Sequence, residues 1–247
     1  MLWSAVSSLV RRLREASRVG KVDTIMKRLS IVGLCLIAVL GVSAVAVGSA
    51  SASLPEFKAA AFPVTFTSAS ALPLEPTLTT LANVIKCKMS TDKGEITVGG
   101  TKLVGKIIVT YTECTITISG MAVGCKTAGQ TGNTIVTQPL MGELGYINKA
   151  IPTVGILFHP ETPGTVLFAE FACSIVTVKV TGSLVGLASP INVSQSTSTI
   201  SFTPGIMGQA EKNLEGSPMD RMESFSEESS IMDTENETFS TNIELKA

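Results

Sequence analysis

Few residue types in this chain can do chemistry, and cysteine is the most informative. Cys87, Cys114, Cys125 and Cys173 follow an N-terminal apolar segment that holds the fifth, Cys35. No C-x-x-C pair or Cys/His cluster occurs, so the spacing does not suit zinc or thioredoxin-type redox chemistry. An even number of cysteines in an exported chain points instead to structural disulfides, with three possible connectivities. Ten residues around the turn at Gly120 separate Cys114 from Cys125, and a hairpin would bring them together. The expected pairs are therefore Cys114 with Cys125 and Cys87 with Cys173.

The acid–base candidates are sparse. His159 is the only histidine, in the Pro-rich turn Phe158-His-Pro-Glu-Thr-Pro163 beside Glu161. No Ser or Cys nucleophile is placed by a motif, and no G-x-S-x-G occurs, so a loop histidine is the expected role. Glu143 and Glu170 lie in strand-like segments and could form the carboxylate pair of a glycosidase. The aromatic platforms that bind sugars are missing, because the one Trp, Trp3, lies in the N-terminal segment. Asp92-Lys-Gly-Glu95 has too few acids for a calcium loop and reads as a turn, as does Gly99-Gly100. No phosphate-binding loop is present. Asn192-Val-Ser194 and Asn236-Glu-Thr238 are glycosylation sequons, a pattern common by chance. No catalytic, cofactor-binding or metal-binding residues are assigned, and no cofactor is expected.

Composition narrows the class. Of 247 residues, 45% are hydrophobic and 16% charged, with a formal net charge of -1. That apolar content can form a core, which excludes disorder throughout. The charge balance gives no case for a nucleic-acid partner.

The elements that must position these residues begin with an export signal. Arg11, Arg12, Arg14, Arg18, Lys21, Lys27 and Arg28 precede the apolar run Ile31 to Val47, and Ala50-Ser51-Ala52 is a fitting cleavage site. Residues 1–52 read as a helical signal segment, with Met26-Lys27-Arg28 as an alternative start. The alternative is an uncleaved membrane anchor formed by residues 31–47, at the short edge of a spanning length. Residues 53–204 read as one β-rich domain. Thr, Val and Ile dominate its strand-like segments, and Gly or Pro punctuates them. Strands are expected at 64–67, 106–114, 115–119, 140–147, 154–158, 165–173, 175–185 and 197–203. The fold class is all-β, an antiparallel sandwich or barrel. Too few aromatics remain for the girdles of an outer-membrane barrel. Residues 205–247 carry ten acids against three basic residues. They read as an acidic C-terminal segment, disordered over 208–230, with alternation at 237–245 that could add a last strand.

The body carries Leu54-Pro-Glu-Phe57, Thr91-Asp-Lys-Gly-Glu95, Val104-Gly-Lys-Ile-Ile-Val-Thr110 and Cys114, then Pro139-Leu-Met-Gly-Glu-Leu-Gly-Tyr146, Leu167-Phe-Ala-Glu-Phe171 with Cys173, and Val180-Thr-Gly-Ser-Leu-Val185. Together these segments resemble a group of exported actinobacterial proteins. The resemblance covers residues 54–203. It implies export and a β-rich body, and it carries no reaction and no catalytic residues. The expectation is a secreted or cell-wall-associated structural or binding protein whose partners are the cell envelope or an extracellular polymer. The rivals are an extracellular hydrolase using Glu143 or Glu170, and a carrier of a small apolar ligand.

Overall fold

The computed structural model describes residues 55–219 and 221–247, within a compact unit that spans Ala52–Ala247. The expected signal, anchor and cleavage site lie outside the described residues. The described chain is all-β and contains no helix.

Eight strands close an antiparallel barrel. They are β2 (Val64–Ser70), β5 (Met89–Ile96), β6 (Leu103–Ile107), β11 (Leu140–Asn148), β12 (Thr153–Pro160), β15 (Leu184–Ser189), β16 (Gln195–Phe202) and β19 (Ser230–Lys246). Going round the ring, β19 pairs with β2, then come β5, β6, β11, β12, β15 and β16, which returns to β19. Period-two alternation drives closure, because alternate side chains point to opposite faces. Val64, Phe66, Ser68 and Ser70 of β2 point inward, while Thr65 and Thr67 are exposed. Closure leaves these eight strands with no open edge.

One side of the barrel interior is apolar. Leu140, Leu144, Ile156, Phe158, Ile200 and Phe202 are buried there, and the rings of Phe158 and Phe202 lie 5.8 Å apart. Gly186 makes room for that packing: a Cβ at this position would fall 2.4 Å from Ile200 Cγ2. Gly94 does the same for Phe66, whose ring would lie 2.5 Å from such a Cβ.

A second sheet of shorter strands grows from the first residues of β19. It runs through β3 (Thr77–Thr79), β4 (Val84–Lys86), β8 (Thr115–Ile118), β9 (Met121–Lys126), β13 (Leu167–Cys173), β14 (Val176–Thr181), β17 (Glu223–Ser224) and β18 (Glu227–Glu228). Two further short strands, β7 (Thr110–Thr112) and β10 (Ile135–Val136), extend from the start of β5. β1 (Glu56–Ala59) pairs with the last residues of β19, Ile243 to Lys246.

Several local expectations change. Asp92-Lys-Gly-Glu95 is the middle of β5 rather than a turn, because Ser90, Asp92, Gly94 and Ile96 alternate into the barrel. The expected strand 106–114 breaks between Ile107 and Thr110, where the chain leaves the barrel wall for β7. The expected strand 175–185 divides at Gly182, whose φ of 94° suits glycine and turns the chain.

The charge shift near Pro204–Gly205 marks no break in the structure. β19 lies between β16 and β2 and supplies Phe239, Ile243 and Leu245 to the core. In place of the disorder expected over 208–230, this stretch packs back on the body with Gln209, Leu214 and Met222 buried. The Gln209 side chain substitutes for a strand partner, accepting from Ile231 N at 2.9 Å and donating to Ile231 O at 3.0 Å.

Candidate functional site

The most unusual chemistry lies inside the barrel, where β2, β5 and β19 meet. Inward alternation on β19 places Asp233, Glu235 and Glu237 in one row. The facing rows supply Ser68 and Ser70 from β2 and Ser90 and Asp92 from β5. Asp233, Glu235 and Glu237 are at most 6% exposed. Among the described residues, the ion pairs lie elsewhere, on Glu95, Glu113, Glu170, Glu228 and Glu244.

Hydroxyl groups take the place of cations. Ser90 Oγ lies 2.8 Å from both Asp233 Oδ2 and Glu235 Oε1, and 2.6 Å from Ser70 Oγ. Ser90 N donates to Ser70 Oγ at 2.7 Å. Ser68 Oγ donates to Asp92 Oδ2 at 2.5 Å, and Ser198 Oγ of β16 donates to Glu237. Thr234 N donates to Asp233 Oδ1 at 2.8 Å. Asp92 Oδ1 is buried and meets no fixed donor, and its carboxyl is within hydrogen-bond reach of Glu235. A contact between two carboxyl groups needs a proton on one of them.

Burial disfavours the charged form of all four acids. Desolvation lifts the carboxyl of Glu237 to about 7, with the negative charge of Asp92 adding to the rise and the Ser198 hydrogen bond opposing it. Desolvation also raises Glu235 well above the ordinary range, and the charges of Asp92 and Asp233 push in the same direction. Asp92 and Asp233 are raised for the same first reason. Tyr111 of β7, opposite Ser90, is raised far above its usual value by burial and then by Glu235, Asp233 and Asp92. The arrangement sets four carboxyls, all shifted toward the neutral form, in a wall of hydroxyls. Among the described residues, no group of three or more His, Cys, Asp or Glu is arranged to hold a metal ion.

The cysteines form a second constellation, and its bonding corrects the expected one. The disulfides are Cys87–Cys114 and Cys125–Cys173, with Cα separations of 4.0 and 4.1 Å. The expected Cys114–Cys125 and Cys87–Cys173 bonds are absent. Cys114 and Cys125 do face each other across the β8–β9 hairpin, as the next rung after Thr115 and Gly124. They stand at a hydrogen-bonded position of the ladder, Cys125 N donating to Cys114 O at 2.9 Å, while Cys114 N donates to Asn133 O at 2.8 Å. In an antiparallel sheet such rungs alternate with close, non-hydrogen-bonded ones, whose Cα atoms approach to about 4.5 Å. Each middle cysteine therefore has its closer neighbour on its other side.

The remaining candidates do not converge. Glu143 is exposed on the outer wall and borders a surface groove with Lys102, Lys149 and Glu215. Glu170 stands on β13 in the second sheet, 3.8 Å from Lys179. His159 is half-buried and its Nδ1 lies 3.0 Å from the carbonyl of Pro160. The apolar cavity beneath the second sheet, between Ile85, Phe168, Phe171, Val180 and Ile231, holds about 50 Å³. Ligand pockets typically hold ~300–1,000 Å³.

Sequence reasoning missed the carboxyl row. Its signal was available: Asp233-Thr-Glu-Asn-Glu237 alternates acid with polar residues in step with the apolar Ile231, Phe239 and Ile243. An apolar-in, polar-out reading assigns every acid to solvent, and here the acids share the inward phase of Ile231 and Phe239. Comparisons with family models, with curated proteins and with solved structures give no match for this chain.

Proposed function

We propose that this chain acts outside the cytoplasm, as an exported, disulfide-stapled β-barrel that serves as a structural or binding module of the cell surface. The observation that carries this reading is the bonding of Cys87, Cys114, Cys125 and Cys173 into two buried disulfides. Such bonds persist in oxidising compartments. The basic, apolar and small-residue order of residues 11–52 supports the same route, as does the resemblance to exported actinobacterial proteins.

Two features favour a module over an enzyme or a carrier. Glu143 and Glu170 stand on different sheets, and Glu170 faces a lysine. The barrel interior is filled by side chains, and the cavity under the second sheet is too small for an organic ligand. A partner would then meet the outer surface. A shallow groove where Thr65, Thr67, Thr238 and Lys93 stand beside the Lys106–Glu95 ion pair is the surface we assign to an envelope polymer.

Fractionation of host cells tests the reading. The chain should appear in wall or culture-medium fractions, begin at or near Ser53, and yield no free thiol until reduced. Recovery as full-length cytoplasmic protein with four free thiols after residue 52 would refute it. Full-length protein held in membranes would instead select the anchor formed by residues 31–47.

A further inference from the structure

The four cysteines occupy one row. Lys86 pairs with Thr115, so Cys87 and Cys114 fall at the next opposed position. Thr115 pairs with Gly124, which sets Cys114 opposite Cys125. Cys125 is opposite Cys173. Residues directly opposed in adjacent strands share a face, so four side chains stand side by side across four neighbouring chain segments. The outer two rungs carry bonds and the middle rung carries none. A hydrogen-bonded middle rung has a Cα spacing of ~5.5 Å, inside the range that a disulfide spans.

We propose that these cysteines form a thiol–disulfide exchange row, in which two-electron reduction of an outer bond transfers the surviving disulfide to Cys114–Cys125. Cys87 is the most accessible member at 7% exposure, while Cys114 and Cys125 are fully buried and Cys173 is 1% exposed. A dithiol reductant attacks Cys87 Sγ and expels Cys114 Sγ as a thiolate. The second thiol of the reductant releases Cys87 as a thiol, and the reductant leaves as its own disulfide. Cys114 Sγ then attacks Cys125 Sγ. The Cys114–Cys125 bond forms, the Cys125–Cys173 bond breaks, and the electron pair departs on Cys173 Sγ, which takes a proton from solvent.

Exchange at sulfur needs attacking, central and leaving sulfurs near one line. A row running across strands provides that order. The second step consumes no oxidant or reductant, and it moves thiols to the two ends of the row. It also removes both staples that tie the β8–β9 hairpin to its neighbours, leaving only the bond within the hairpin. The second sheet is loosened while the barrel, which has no cysteine on its eight strands, is untouched.

The test uses the full chain with Cys35→Ser, oxidised and treated with limiting dithiothreitol, then acid-quenched, alkylated and peptide-mapped. The expected two-electron product has alkyl groups on Cys87 and Cys173 and a linked Cys114–Cys125 peptide. Its amides in β4 and β13 should exchange at least tenfold faster, with no change in the middle of β19. A two-electron product alkylated mainly on Cys87 with Cys114, or on Cys125 with Cys173, would overturn the proposal. If reduction runs directly to four thiols, C87S and C173S decide it, each checked for fold by slow exchange in β19. In C87S the linked Cys114–Cys125 peptide and a thiol at Cys173 are expected, and in C173S the same peptide and a thiol at Cys87. Recovery of only the original remaining bond in both variants overturns it.

Discussion

The barrel and the second sheet stabilise themselves by opposite means. Barrel strands run five residues or more, and β19 runs 17. They close on one another and need no covalent tie. Strands of the second sheet shrink to four residues in β8, three in β3 and β4 and two in β17 and β18. Short strands bury little apolar area apiece, and both disulfides tie this sheet, Cys87–Cys114 beside the short β4 and β8 and Cys125–Cys173 between the longer β9 and β13. The barrel in turn tolerates what the second sheet lacks, a row of buried carboxyls. A closed wall fixes serine hydroxyls at the right register, and each acid keeps hydrogen-bond partners while burial shifts it toward its neutral form. Closure therefore permits polar burial, and open edges call for covalent bonds.

The strongest way to break this comparison is to open the barrel. Ending the chain at Pro204 removes β19, which pairs with β16, β2, β1 and β3. The expected outcome is loss of cooperative unfolding altogether, read by denaturant titration. A truncated chain that still unfolds in one sharp transition would mean the barrel does not need closure.

Reducing both disulfides should come next. On the chain-entropy model, loops of 27 and 48 residues contribute about 3.5 and 4 kcal/mol. Their sum rivals the ~5–15 kcal/mol net stability of a domain. Hydrogen exchange on reduced protein should lose protection first in β4, β8, β9 and β13. Earlier loss in β11 and β12 would place the weak region in the barrel instead.

The pH dependence sharpens the other side. Glu237 has a folded-state value of about 7, above its ordinary 4.5. A raised carboxyl favours the folded state fully below the unfolded value, and that contribution is lost as pH rises to the folded value. Stability should therefore fall between about pH 4.5 and 7, by about 3 kcal/mol from this group alone. Glu235, Asp92 and Asp233 are raised too and add to the fall. E237Q should flatten the pH dependence by the share of Glu237. A wild-type midpoint that rises from pH 5 to 8 would contradict the upward shift of these carboxyls.

Smaller effects test the packing on each side. Gly186→Ala sets a Cβ against Ile200 and Phe202 in the apolar half, and Gly94→Ala sets one against Phe66 beside the carboxyls. Each should cost ~1–3 kcal/mol in denaturant titration. Least of all, K88A removes an exposed ion pair with Glu113 and should change stability by less than about 1 kcal/mol.

The fold class was legible because period-two alternation is local. Val64 to Ser70 and Gln195 to Phe202 carry it in their own residues, and so does the Gly120 hairpin. The cysteine types and their number also pointed to two bonds. Their pairing was not legible, because it depends on which rungs of the sheet are hydrogen-bonded, and that follows from register between strands far apart in sequence. Cys125 and Cys173 are 48 positions apart and meet only because β13 returns beside β9.

The acids show the same division more sharply. The period of two along β19 sets Asp233, Glu235 and Glu237 on one face, although only 237–245 was expected as a strand. Which face meets solvent was decided by barrel closure, through the neighbours that β2, β5 and β16 bring. Local sequence sets the phase of a strand, whereas burial is a property of the assembled wall. A carboxyl row can turn inward only where serines on other strands supply the hydrogen bonds that water would have made.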